Sequence, residues 1–164
     1  MALVTRQLLH AFVTESNAIE GIRRTPTDDE LDVSRNFIEL PQINAIDLQN
    51  FVRVCAGPKA LLREKPGMDV MVGPHRPPPG GLSVRAQLSQ IVNDVNNTQT
   101  DARHRHPYAV HHRYETLHPF MDGNGRSGRI LWAWQMLHEE IQPGLRLGFL
   151  HAWYYQSLQA GRKS

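Results

Sequence analysis

Seventeen consecutive residues in the middle of this chain, KPGMDVMVGPHRPPPGG (65–81), hold five prolines and four glycines. Proline removes a backbone donor and clashes with the preceding turn, so no long helix can cross this stretch. Its one extended piece, MDVMV, has the length of an edge strand or half a hairpin. On both sides, apolar residues recur at helical spacing instead. Val4, Leu8, Phe12, Glu15 and Ile19 share one face of a first helix, with Glu15 its one charged member and Gly21 placed to end it. Thr27 and Glu30 form a capping-box pattern ahead of a short helix over 28–37, which Pro41 stops. Asn44 is the expected N-cap of a helix over 45–56. Beyond the proline-rich segment, Val84, Leu88, Ile91 and Val95 trace another helix, and Val110, Tyr114 and Leu117 the next. Ile130, Trp134, Leu137 and Ile141 follow, then a Pro143–Gly144 break and a last stripe of Leu147, Leu150, Tyr154 and Leu158. The expected fold is all-α: a compact helical bundle with one short β-hairpin flap.

The chain's 164 residues match one domain rather than two, so the proline-rich segment reads as a surface flap and not a linker. A formal charge of +2 provides no concentrated basic face, which argues against a nucleic-acid partner. No apolar run approaches the ~20 residues of a membrane span, and a cytoplasmic location is the default expectation. The single cysteine, Cys55, allows no intramolecular disulfide and reads as a small buried hydrophobe.

The chemistry concentrates in HPFMDGNGRSGR, residues 118–129. A helix is expected to start near Asn124, with Asn124 as its N-cap. Its first turn carries Arg126 and Arg129, where a helix dipole favours acids. Unpaired N–H groups, flanking glycines and two arginines at one helix start suit an anion, most simply a phosphate chain. Asp122 would then hold magnesium, an ion usually bound by one or two carboxylates together with substrate phosphates. His118, with an ordinary pKa of about 6.5, can accept a proton near neutrality. These parts suggest transfer of a phosphorus-centred group to a hydroxyl. The plainer alternative is an ordinary Gly-Asn-Gly turn with Asp122 paired to Arg126. A P-loop, an EF-hand and an H-E-x-x-H zinc site all fail on spacing.

The same stretch resembles, at every defined position, the H-x-F-x-[DE]-G-N-G-R-x-x-R signature of the Fic family. PYAVHHRYETL before it and VMVGPHRPPPGG upstream look like that family's helix and flap, and the likeness extends over about 44–158. The resemblance implies a helical enzyme that transfers AMP from Mg-ATP to a Ser, Thr or Tyr hydroxyl of a protein. It implies His118 as the base, Phe120 as the loop's anchor in the core and Asp122 as the magnesium ligand. Gly123, Asn124 and Gly125 would form the anion hole. Arg126 would support the phosphates, and Arg129 would hold the γ-phosphate. Val70, Met71 and Val72, in a flap at about 68–79, would align the target as an added strand.

SNAIEG, residues 16–21, resembles the family's inhibitory motif [ST]-x-x-x-E-[GN]. It implies an inhibitory helix over 1–22 ahead of a core over 23–164. Within it, Ser16, Glu20 and Gly21 would place Glu20 on Arg129 and deny that arginine to ATP. A solvated Glu20 beside a routine helix-ending Gly21 is the plainer reading. The resemblance also allows transfer of another phosphate-containing group, removal of AMP, or nucleotide binding without catalysis. The expected partners are ATP, an unidentified hydroxyl-bearing protein, the chain itself as a target, and a second copy in a homo-oligomer.

Overall fold

The structure, a computed structural model, describes residues 4–139. Among these residues there are seven helices: α1 (Arg6–Ile19), α2 (Asp28–Glu39), α3 (Ala45–Ala56), α4 (Leu82–Asn96), α5 (Ala102–Arg105), α6 (Pro107–Leu117) and α7 (Asn124–His138). The all-α expectation holds. The expected stripe at Leu147–Leu158 and the Pro143–Gly144 break lie outside the described residues, as does Ile141.

Local chemistry sets most helix starts. The Thr27 hydroxyl accepts from the Glu30 N–H at 3.2 Å while the Glu30 carboxylate accepts from the Thr27 N–H at 2.8 Å, completing the expected capping box. Asn44 caps α3 in the same reciprocal way with Asp47. α1 ends as Gly21 suggested: the Gly21 N–H reaches the Ala18 carbonyl and the Ile22 N–H the Asn17 carbonyl, both at 3.0 Å. Those two bonds satisfy carbonyls that a helix end otherwise leaves bare. α2 runs two residues beyond its expected end, to Glu39, because nothing between Phe37 and Pro41 forbids another half-turn. The four-residue α5, capped by Asp101, is too short to show periodicity and was not expected.

Two apolar faces differ from their sequence readings. On α1 the buried face is Leu9, Phe12, Val13, Ser16 and Asn17. This is the expected stripe rotated, with Leu8, Glu15 and Ile19 only partly covered. Rotation brings two polar residues inward, which an apolar count ignores. α7 has no single stripe. Ile130, Leu131, Ala133, Trp134 and Leu137 are all buried, so it reads as a central helix enclosed on several sides. It packs on α6, α2, α3 and α1, while α4 covers the far side of α6. The Trp134 indole N–H, carried inward with the ring, donates to the Leu40 carbonyl at 2.8 Å.

The hairpin flap is minimal. Val72 and His75 exchange both backbone hydrogen bonds at 3.0 Å across a Gly73–Pro74 turn, forming an isolated bridge. A second isolated bridge joins Leu62 to Phe120 and ties the flap's upstream strand-like segment to the 118–123 loop.

Glu30 does more than cap α2. It is 2% exposed and accepts from Arg24 at 2.7 and 3.0 Å and from Asn17 of α1 at 3.4 Å. Burial alone would raise its pKa, but the bonds from Arg24, Thr27 and Asn17 outweigh burial and hold it below the ordinary value. A lowered folded pKa means stability that is complete above about pH 4.3, the ordinary glutamate value, and lost as pH falls through the folded value. Glu30→Gln is therefore expected to lower Tm at neutral pH and to flatten the fall of Tm on acidification. Thermal unfolding followed from neutral to acid pH checks both effects.

Candidate active site

The 118–123 loop joins α6 to α7, and its shape follows from what its neighbours bury. His118 closes α6 in the left-handed region at φ 50°, the one non-glycine positive φ among the described residues. A left-handed residue reverses the chain after a helix, and here it is spent on the residue expected to act as a base. Phe120 is fully buried, as the family resemblance implied. Asn124 then departs from its expected role. Gly123, left-handed at φ 76°, is the N-cap, and Asn124 is the first helical residue. Its side-chain amide clasps both backbone groups of Phe120, accepting from the N–H and donating to the carbonyl at 2.8 Å each. A cap would have satisfied a helix donor; the clasp instead fixes the loop that precedes the helix.

Ser127, at an unspecified position of the signature, adds a further tie. Its hydroxyl lies 2.7 Å from the Tyr114 hydroxyl and bonds back to the Gly123 and Asn124 carbonyls. Burial pushes the Tyr114 phenol well above its ordinary value, so it remains a neutral partner.

An open cavity of about 450 Å³ lies against this loop. The structure brings His118, Asp122, Gly123, Asn124, Gly125, Arg129 and Glu20 together around it, with Val70 and Met71 of the flap. Asp122 is exposed on its lip, its carboxylate accepting from the Gly123 N–H at 2.6 Å. Arg129 is 1% exposed. It donates to the Ser16 hydroxyl at 2.9 Å and the Ser16 carbonyl at 3.0 Å, and meets the Glu20 carboxylate at 2.5 Å. These contacts join residues 113 and 109 positions apart. The Glu20 carboxylate also lies over Gly125, where an added Cβ would run into it. The anion expected at this helix start is thus supplied from within the chain.

Two expected site residues are elsewhere. The Arg126 guanidinium is turned away from the cavity and donates to the Cys55 carbonyl at the end of α3. It is 7% exposed and borders a small separate cavity beneath α1. Its bond satisfies a helix-end carbonyl and pins α7 to α3. Burial pushes the Cys55 thiol up to about 12, which disfavours its thiolate. Val72 is not among the residues around the cavity, and its N–H and carbonyl are both bonded to His75 inside the flap turn. Only Val70 and Met71 remain as flap residues at the site.

Two residues were missed. Arg63, fully buried, donates to the carbonyls of Leu117 at 2.8 Å, His118 at 2.7 Å, Met68 at 3.1 Å and Pro78 at 2.9 Å. One guanidinium thereby binds both ends of the flap to the residue that turns the 118–123 loop. A basic residue in a loop gives no periodic signal, so sequence reasoning had nothing to find. Glu115 is 6% exposed and lines the cavity beside His118. Its only sequence signal is its place three residues before His118.

A family model described as Fic/DOC matches residues 58–136. Over that span the chain is similar to the Fic/DOC family. Proteins named Protein adenylyltransferase Fic are similar to this chain over part of its length. The one from Drosophila mojavensis is 32% identical over 93 residues, covering 55% of this chain and 18% of that protein. The one from Culex quinquefasciatus is 33% identical over 97 residues, covering 57% and 19%. The one from Drosophila willistoni is 40% identical over 78 residues, covering 45% and 15%. The chain thus spans less than a fifth of the length of these relatives. The matched Fic span is shorter than the 44–158 likeness expected, and α1 with its SNAIEG stretch lies ahead of it.

Arg63→Met keeps the volume and removes the donors. Leaving buried carbonyls unsatisfied costs about 1–3 kcal/mol each when nothing replaces the bond. The variant is expected to lose at least about 3 kcal/mol, with the flap losing protection first. Denaturant unfolding and backbone hydrogen exchange across 65–81 check this outcome.

Proposed function

We propose that this chain is a protein adenylyltransferase that uses Mg-ATP and is held inactive by its own α1. The carrying observation is the triple contact of Arg129 with Ser16 and Glu20 at the mouth of the cavity that His118 lines. An arginine this buried, bound to a carboxylate placed over a glycine at a helix start, marks a site suited to a phosphate oxygen. Glu20 and the terminal phosphate of ATP would compete for the same guanidinium. The Ser16 bonds would keep Arg129 oriented whichever anion is present.

The chemistry follows from the residues around the cavity. A target hydroxyl gives its proton to His118, and its oxygen forms a bond to the α-phosphorus as the bond to the β-phosphate bridge breaks. Pyrophosphate leaves. The backbone N–H groups at the start of α7 stabilise the charge that develops on the phosphate oxygens. Asp122 suits magnesium as a lone exposed carboxylate beside a phosphate site. Among the described residues no cluster of three or more His, Cys, Asp or Glu could hold a metal alone, so the phosphates would complete the coordination. Magnesium would supply charge neutralisation on those phosphates. The target is a Ser, Thr or Tyr hydroxyl of a protein, the chain itself included, laid along Val70 and Met71 of the flap. Met71, 67% exposed, is placed for such a contact.

The Glu20→Gly variant, incubated with MgATP, is expected to gain an AMP adduct on itself or on an added protein. Adding His118→Ala to it is expected to reduce transfer at least about a hundredfold, the scale of a lost general base. Intact-mass measurement checks both. A folded Glu20→Gly chain that acquires no adduct across a broad set of candidate proteins would sink the proposal. A phosphate-only or UMP adduct would keep the site and change the group transferred.

A further inference from the structure

His111, Glu115 and His118 follow one another by four and three positions, and all three meet at the junction of α6 with α7. The Glu115 carboxyl is inserted between the two imidazoles. One oxygen is 4.0 Å from His111 Nε2, and the other is 3.9 Å from His118 Nδ1. Space for it comes from Gly128, where a Cβ would run into the Glu115 oxygen. Gly128 is an unspecified position of the phosphate-loop signature, so this fit is separate from the anion site.

The two histidines are held differently. His111 Nδ1 lies 3.0 Å from the Gly128 carbonyl, which can only accept, so Nδ1 carries the hydrogen and Nε2 does not. Burial pushes its pKa down to about 3, and it stays neutral. His118, by contrast, lines the cavity and is the proton acceptor of the proposed reaction. Charged and titratable groups reach its surroundings from every side. Arg129 comes from α7, Glu20 from α1 and Asp122 from the loop. Arg63 is on the His118 carbonyl, and the His75 ring is on the Thr116 carbonyl at 2.9 Å. Glu115 is the carboxylate within 4 Å of the His118 ring.

We propose that Glu115 is a positioning residue for His118: its carboxylate, 3.9 Å from Nδ1 and so acting by charge and not through a direct hydrogen bond, favours a hydrogen on Nδ1, leaves Nε2 to take the substrate proton, and stabilises the imidazolium that results. An anion this close favours the charged form of a histidine.

This inference rests on His118 being the base, so its test is read first without turnover. In the Glu20→Gly chain, the His118 ring signal is followed by NMR against pH and assigned by its loss in His118→Ala. Glu115→Gln is expected to lower the His118 pKa by about one unit and to shift its ring nitrogens away from the Nδ1–H tautomer. Glu115→Asp, which keeps the charge, is expected to recover part of the shift. In the transfer assay, the acid limb of kcat should move to lower pH and kcat at neutral pH should fall, with KM for ATP unchanged. A His118 titration unchanged in a folded Glu115→Gln chain overturns the inference, as does a Glu115→Asp variant no different from Gln. Absence of AMP transfer in Glu20→Gly alone would overturn the proposed function instead and leave the NMR result standing.

Discussion

The site depends on one clasp: the Asn124 amide holding both backbone groups of Phe120 while the Phe120 ring fills the core. Full burial of such a ring contributes roughly 1.5–3 kcal/mol. The clasp turns that burial into position, because the loop cannot shift without drawing the ring out of the core. His118 and Asp122 stand two residues to either side of Phe120 and inherit its placement. The start of α7 is set by the same bonds, since Asn124 is its first residue.

Around this anchor the structure brings distant segments together with a few charged groups. Arg63 gathers four carbonyls from the flap and the end of α6. Arg126 pins α7 to the end of α3, and Arg129 receives α1. Only Arg129 reaches the cavity. The three arginines are all buried and differ in what the guanidinium meets. Arg63 meets four carbonyls and Arg126 the Cys55 carbonyl, both structural arrangements. Arg129 meets a hydroxyl, a carbonyl and a carboxylate, and a carboxylate can be exchanged for another anion.

Much of this was legible beforehand where local chemistry decides. The Thr27–Glu30 capping box and the Asn44 cap are each set within four residues, and both formed. The α4 and α6 stripes, Val84–Leu88–Ile91–Val95 and Val110–Tyr114–Leu117, are buried as their spacing required. Asn124 was misread for a physical reason: its propensity as a cap is real, but a side chain that can close two bonds on Phe120 gains more there than at one helix donor. The direction of Arg126 was not legible, because the signature identifies a residue without orienting its side chain. The α1 face was rotated because Ser16 and Asn17 are buried by specific polar partners, Arg129 and Glu30, which no hydropathy pattern contains.

The sequence by itself determined the helical class, the flap and the family signature, because periodicity, proline and glycine act over a few residues at a time. It also identified Glu20 and Arg129 as a candidate pair through resemblance. Tertiary structure alone decided that the Glu20 carboxylate lies over Gly125, that Arg126 faces Cys55, and that Glu115 stands between two histidines. Each of these depends on which helices pack together and at what rotation. Those are settled by the burial of whole faces and the pairing of buried charges, over separations that no local pattern spans.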